Sequence, residues 1–218
     1  MPEFTDHGII HTNNVLHNIC NLIREYPIPE KFTEDERFLL VLAAITHDIG
    51  CIVDRDTHEE KSIKMLQSNH FRFLLATIGA LNFRALIKII KWHRKTQDLE
   101  TIGQDPCDEI RLKLIASIFR LADACDMSGS RIKCLVMDIL IEERQLPAKS
   151  EAIWKAHLQV EKIKISRNKI QPQVYNLKLA DYCLTELAQE LEPINQVLTK
   201  LGLPQFTLEP VVVDSAIT

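Results

Sequence analysis

Glycine is scarce in this chain, six residues in 218, and proline numbers nine. Few positive-φ turns are on offer, which argues against an all-β fold and for long helices with short connections. No Cys-x-x-Cys pair occurs among Cys20, Cys51, Cys107, Cys125, Cys134 and Cys183. Most of these lie in helix-period apolar runs, so reduced thiols in a cytoplasmic protein are expected rather than a disulfide scaffold. Basic residues are not in excess: 26 Lys plus Arg against 30 Asp plus Glu leave a formal charge of −4. No global basic field is available to hold nucleic acid, although a local basic pocket stays open. The apolar runs are too short or too interrupted to span a bilayer, and the opening MPEFTDHGII lacks the basic and apolar regions of a signal peptide. Neither export nor membrane insertion is expected. What is present, 46% hydrophobic and 26% charged residues, suits an ordinary globular core. One domain plus a small appendage is expected.

Apolar Val15, Leu16, Ile19, Leu22 and Ile23 mark one face of a helix from His11 to Glu25, stopped by Tyr26-Pro27-Ile28-Pro29. Thr33-Glu34-Asp35-Glu36 has the capping-box pattern directly before the run Phe38 to Ile45, whose all-round apolarity predicts a central, buried helix. His47-Asp48 falls in its last turn, with Gly50 placed as the C′ stop and a polar connection over 51–57. Further helices are expected from near His58, over Ala80 to Arg94, from an Asp108 cap through 109–126, and over Ile132 to Glu143. Leu146-Pro147 closes this helical core. Short β-branched segments over 157–166 and 170–177, separated by Arg167-Asn168-Lys169, predict a hairpin, followed by a helix over 177–201 and a short strand at Val211-Val212-Val213. The fold class is therefore mainly α, with a helical domain over 1–147 and an α+β appendage, hairpin plus helix, over 148–218.

A lone His-Asp dipeptide carries no information, but its setting does. Asp48 follows LLVLAAIT and Asp123 sits in LIASIFRLADAC, so both carboxylates fall in the most apolar helices of the chain. A buried carboxylate must be protonated, ion-paired or metal-bound, and a metal explains both at once. His11, His47, Asp48 and Asp123 supply a mixed nitrogen and oxygen set suited to Mn, Fe, Co, Ni or Zn, with Mg admissible and positions left for water and substrate. His58 and His93 are spaced for a second ion, in which case Asp48 would bridge the two. Either way, a metal-activated water suits phosphoester hydrolysis.

The ordered segments TDHGIIHTNNVL, LAAITHDIG and RLADACDMSGSR resemble the H…HD…D pattern of the HD superfamily of metal-dependent phosphohydrolases, over roughly residues 4 to 135. The resemblance implies a helical HD-domain bundle with His11, His47, Asp48 and Asp123 as metal ligands. DRDTHEEKS looks like the segment of those HD subgroups that place extra histidines after the HD pair, which implies roles for His58 and His93. The sequence lacks the acidic pair, the GYP motif and the continuation after HDIG that mark three nucleotide-specific HD subgroups, so none of those substrates carries over.

The expected function is thus a cytoplasmic, metal-dependent phosphohydrolase of a nucleotide or other small phosphate ester, with Asp48 and His58 catalytic and one or two divalent ions per chain. Arg55, Lys61 and Arg131 are the expected phosphate-binding rim, with solvated charge as the competing reading. Two alternatives stand beside it. The set His11, His47, Asp48, His58, His93 and Asp123 also resembles HD-type di-iron oxygenases, and a regulatory module could bind a nucleotide without turning it over. The appendage is the expected contact for a homodimer or partner protein, and the chain is also open to being part of a larger protein. The bland reading of the acids is a buried salt bridge to Arg120 or Arg131. Arg120 needs a buried partner, Asp123 or Asp126. His7 is read as a polar supporting residue, and His17, His70 and His157 as surface or core histidines without a site role.

Overall fold

The computed structural model describes residues 8–103 and 110–214, so His7, Cys107 and the expected cap at Asp108 lie outside the described residues. The architecture is mainly α: α1 (Ile9–Glu25), α2 (Glu34–Thr46), α3 (His58–Leu66), α4 (Arg72–Trp92), α5 (Leu112–Ala124), α6 (Cys134–Glu142), α7 (Ala148–Leu158) and α8 (Asp181–Lys200). Strands β1 (Val160–Ser166) and β2 (Lys169–Val174) precede α8, and β3 (Thr207–Leu208) and β4 (Val211–Val212) follow it. No helix among the described residues is long and apolar enough to cross a membrane. The five described cysteines are free thiols.

Helix α1 buries His11, Val15, Asn18, Ile19 and Leu22, so the expected apolar face carries one histidine and one amide inward with it. At the start of α2 the capping box forms as read: Thr33 Oγ1 accepts from the Glu36 backbone N–H at 3.1 Å, and Glu36 accepts from the Thr33 N–H at 2.9 Å. The fully buried Glu36 does more. Arg111, at the N-cap of α5, donates its backbone N–H to Glu36 at 3.0 Å, its Nε at 2.9 Å and its Nη2 at 2.6 Å. Helices α2 and α5 are thereby clamped at their N-terminal ends.

Several expectations need correction. Helix α2 is not buried all round: Leu39, Leu40, Ala43 and Ala44 face the core, while Phe38, Val41 and Ile45 form an exposed stripe. Hydrophobicity alone does not say which face finds a neighbour. Gly50 is no left-handed stop. It lies in a 3-10 turn, Ile49–Ile52, and α3 crosses it so closely that a Cβ would stand 2.2 Å from His58 O and 2.5 Å from Ser62 N. Ser62 Oγ donates to His47 O at 2.6 Å and accepts from the Gly50 N–H at 2.8 Å, bolting the chain after α2 onto α3. Helix α4 begins at Arg72, and the portion expected from Ala80 follows a break at Gly79, whose φ is 79°.

Leu146-Pro147 does not end the helical region. Pro147 occupies the N-cap of α7, where its lack of an N–H costs nothing, and α7 carries His157 as far as β1. The hairpin is present with a two-residue turn, Arg167-Asn168, and Arg167 at φ 55°. Strands β3 and β4 run parallel to β2 along its other edge and are interrupted at Pro210, which has no N–H to give. Helix α8 starts at Asp181 and buries Leu187, Leu191, Ile194 and Leu198 at helical spacing. It packs on α5, and one cluster of buried side chains runs from Val15 to Phe206. A smaller cluster of Ile132, Met137, Leu140, Leu146 and Trp154 joins α6 to α7.

Candidate metal centre

Five helices end or begin at one point. His11 lies in the first turn of α1, His47 caps α2 with Asp48 next to it, His58 opens α3, His93 caps α4, and Asp123 sits in the last turn of α5. Their functional atoms converge on the two oxygens of Asp48. On one side, Oδ2 is 3.4 Å from His11 Nε2 and 3.4 Å from His47 Nε2. Those nitrogens are 3.1 Å apart and lie 3.4 and 3.7 Å from Asp123 Oδ1. On the other side, Asp48 Oδ1 is 3.2 Å from His58 Nε2 and 4.0 Å from His93 Nε2, with 3.1 Å between the two imidazoles. All six residues singled out from the sequence are thus brought together. Most of these separations, at 3.1–3.4 Å, are close to what an ion about 2.1 Å from each donor requires, with His47–Asp123 and His93–Asp48 wider.

The imidazoles are oriented for that purpose. His11 Nδ1 donates to Asp126 at 2.6 Å, His58 Nδ1 to Arg55 O at 2.7 Å and His93 Nδ1 to Ile90 O at 2.6 Å. His47 Nδ1 lies 3.2 Å from both Ala43 O and Ala44 O. With Nδ1 holding the proton, each Nε2 presents a lone pair. Four lone pairs and two carboxylates facing one another are reconciled by cations. The groups His11, His47, Asp48 and Asp48, Cys51, His58 could each hold a metal ion.

Electrostatics favour the same occupant. Asp123 and Asp48 sit at helix C-termini, where the backbone dipole is already negative. Burial opposes charge on His47, but Asp48 and Asp123 outweigh it and lift its pKa to about 10. His11 is likewise raised, against burial, by Asp126 and Asp48. Asp123 is held well below the carboxylate range, against burial, by His47 and His11. Burial, with the charge of His47 beside it, lowers His93 to about 4. Without an ion, the raised His47 and His11 imidazoles pair with the carboxylates around them.

Sequence reasoning missed the support around these six. Asp126, buried, accepts from His11 Nδ1 at 2.6 Å and from Asn14 Nδ2 at 2.8 Å. Arg131 in turn holds Asp126, with Nε 3.3 Å from Oδ2 and Nη1 donating to the backbone carbonyl at 2.7 Å. The signal in the sequence is a second aspartate, Asp126, one turn after Asp123. Arg120 takes neither aspartate. It donates to Glu190 at 2.6 Å and to Gln97 O at 2.8 Å, tying α5 to α8.

Arg55 lies within electrostatic reach of Arg131 and Arg94, and Arg94 Nη1 lies 3.0 Å from His58 Nδ1. Burial and these neighbouring guanidinium groups lower the Arg55 pKa, partly offset by Asp48. The Asp54 pKa is lowered chiefly by hydrogen bonds from Thr57 and the Asp56 N–H, with a smaller contribution from the charge of Lys61. A cavity of about 260 Å³ opens beside His11, His93 and Asp123. Its far wall is Ile153 and His157 of α7 with Tyr182, Glu186 and Glu190 of α8. His157 lines this cavity, fixed by a 2.8 Å hydrogen bond to Met127 O, as a partly buried histidine.

No curated protein matches the chain. A family model described as HD-CE matches residues 1–196, which takes in the whole His/Asp cluster together with α7, the hairpin and most of α8. The chain belongs to the HD-CE family, an HD-domain family.

Proposed function

We propose that this protein is a metal-dependent phosphohydrolase that acts on a nucleotide or other small phosphate ester. The observation that carries this reading is the two-sided Asp48 carboxylate, each oxygen facing its own pair of Nε2 atoms. His11, His47, Asp48 and Asp123 would hold one divalent ion, and Asp48, His58 and His93 a second. Ions bound there supply Lewis-acid polarisation of a phosphoryl oxygen and a water of lowered pKa. The chain's own residues do the rest. Asp126 keeps the proton on His11 Nδ1, and Arg131 keeps Asp126 in place, so that His11 Nε2 stays aimed at the centre. Arg55, Arg94 and Arg131 provide the positive side of the mouth, where guanidinium groups match phosphate oxygens. The adjoining cavity accepts the remainder of a small ester.

The test is metal content on protein purified without chelator, followed by anaerobic hydrolysis of nucleoside phosphates and p-nitrophenyl phosphate with Mn, Co or Zn. Two ions per chain and turnover without oxygen are expected. Turnover that requires both iron and oxygen would replace this reading with the oxygenase one. No metal under metal-replete conditions would leave a binding module.

Metal loading should also release protons. The raised pKa of His47, about 10, keeps the metal-free imidazole charged at pH 7, whereas a ligand must be neutral. In the metal-free chain that pairing stabilises the fold fully below about pH 6.5 and is lost as pH rises through about 10. For metal the sign reverses, and affinity falls as pH falls. Calorimetric titration at pH 7 in buffers of different ionisation heat should show about one or more protons released per chain. Heats independent of buffer would contradict the charged His47.

A further inference from the structure

Resting on the metal-centre reading above, we infer that Cys51 supplies a thiolate donor to the ion held by Asp48, His58 and His93, so that the two metal positions differ in chemistry. Three observations lead there. Asp48 is the N-cap of the 3-10 turn Ile49–Ile52, and the Cys51 N–H bonds to Asp48 O at 2.9 Å. Side chains three apart in 3-10 geometry eclipse, which stacks the Cys51 side chain over the Asp48 carboxylate. Donor atoms of Asp48, Cys51 and His58 accordingly all lie within 4.8 Å of one another, near enough for one ion, at about 2.3 Å from sulfur and about 2.1 Å from nitrogen, to draw them together with a small side-chain shift. Finally, the contact of Gly50 with the His58 backbone locks the turn bearing Cys51 against the helix bearing His58, so the grouping is held by the fold and not by a mobile loop.

Loading this position breaks the Cys51 S–H bond and forms a metal–sulfur bond. The proton passes to solvent, and no electron is transferred. A thiolate selects Zn, Fe or Co over Mg and Mn. The other position, His11, His47, Asp48 and Asp123, is nitrogen and oxygen only and has no such bias. The chain would therefore hold a softer ion next to a less selective one.

Cobalt distinguishes the possibilities. The full chain, stripped of metal and loaded anaerobically with Co(II), should show a near-ultraviolet thiolate-to-cobalt charge-transfer band. Cys51→Ser should lose that band and weaken the second cobalt by at least about tenfold, the lower end of what outer ligand-sphere changes cost. Cys125→Ser should keep it. In the unmutated chain, cobalt should slow alkylation of Cys51 relative to exposed Cys20, mapped by peptide mass, which needs no variant to fold. Cobalt bound without the band and without protection of Cys51 would overturn the thiolate ligand and leave the metal centre standing. No bound cobalt would overturn both.

Discussion

Replacing Asp48 by alanine should empty both metal positions and lower turnover by well over the about 10–100-fold that substitutions around metal ligands cost. The expectation follows from how the carboxylate is shared. Its Oδ2 faces His11 and His47, its Oδ1 faces His58 and His93, and no other residue faces both pairs among the described contacts. His58→Ala should behave differently. It removes one donor from one side, so one ion per chain should remain on His11, His47, Asp48 and Asp123. Emission spectrometry on the two variants, with circular dichroism to confirm that each is folded, separates the cases. Two ions retained in Asp48→Ala would refute the shared carboxylate and with it the proposed activation of water.

Glu36→Ala should be the most damaging substitution for stability, at about 3 kcal/mol, the lower end for breaking a buried ion pair because the Arg111 side chain is 30% exposed. Glu36 has no exposed surface and accepts from Thr33 and three times from Arg111. Its removal uncaps α2 and leaves a guanidinium without its carboxylate. The consequence reaches the metal centre. The clamp holds α2 and α5 together at their N-terminal ends, and the opposite ends of the same helices carry His47, Asp48 and Asp123. The pH dependence has a definite sign. Arg111, with the backbone N–H groups, outweighs burial and lowers the Glu36 pKa, so its stabilisation is present above about pH 4.5 and is lost as pH falls through the lowered value. Urea unfolding at pH 7 and at pH 4 should show a gap between the two proteins that narrows in acid. A difference within about 0.5 kcal/mol at pH 7, the level of an innocuous surface change, would show that the clamp contributes nothing.

Much of this site was legible because the chemistry is local to helix ends. His47 and Asp48 are adjacent, and Asp123 interrupts an apolar run, so each advertised a carboxylate with no business in a core unless a cation met it. The capping box of Thr33 and Glu36 could be read outright, since both partners lie within one turn. The hairpin was legible for the same reason: its register follows from a two-residue turn. What failed was long-range. Arg120 advertised a buried charge, but its partner Glu190 lies 70 residues away on a helix whose docking face no local pattern specifies.

By itself, the sequence determined the helical class and singled out six residues that the fold brings together, because periodicity, capping and misplaced charge are properties of neighbouring residues. Only the tertiary structure decided how those residues divide around Asp48. It put two histidines on each oxygen of Asp48, recruited Asp126 and Arg131 behind His11, set Arg94 beside His58, and brought α7 and α8 over to wall the cavity. It also turned Gly50 from an expected helix stop into the surface against which α3 is pressed. The physical reason is common to all of these. Hydrophobic burial is non-directional and tells a helix to bury a face, whereas the direction of a carboxylate oxygen or an imidazole nitrogen is set by which distant element packs against it.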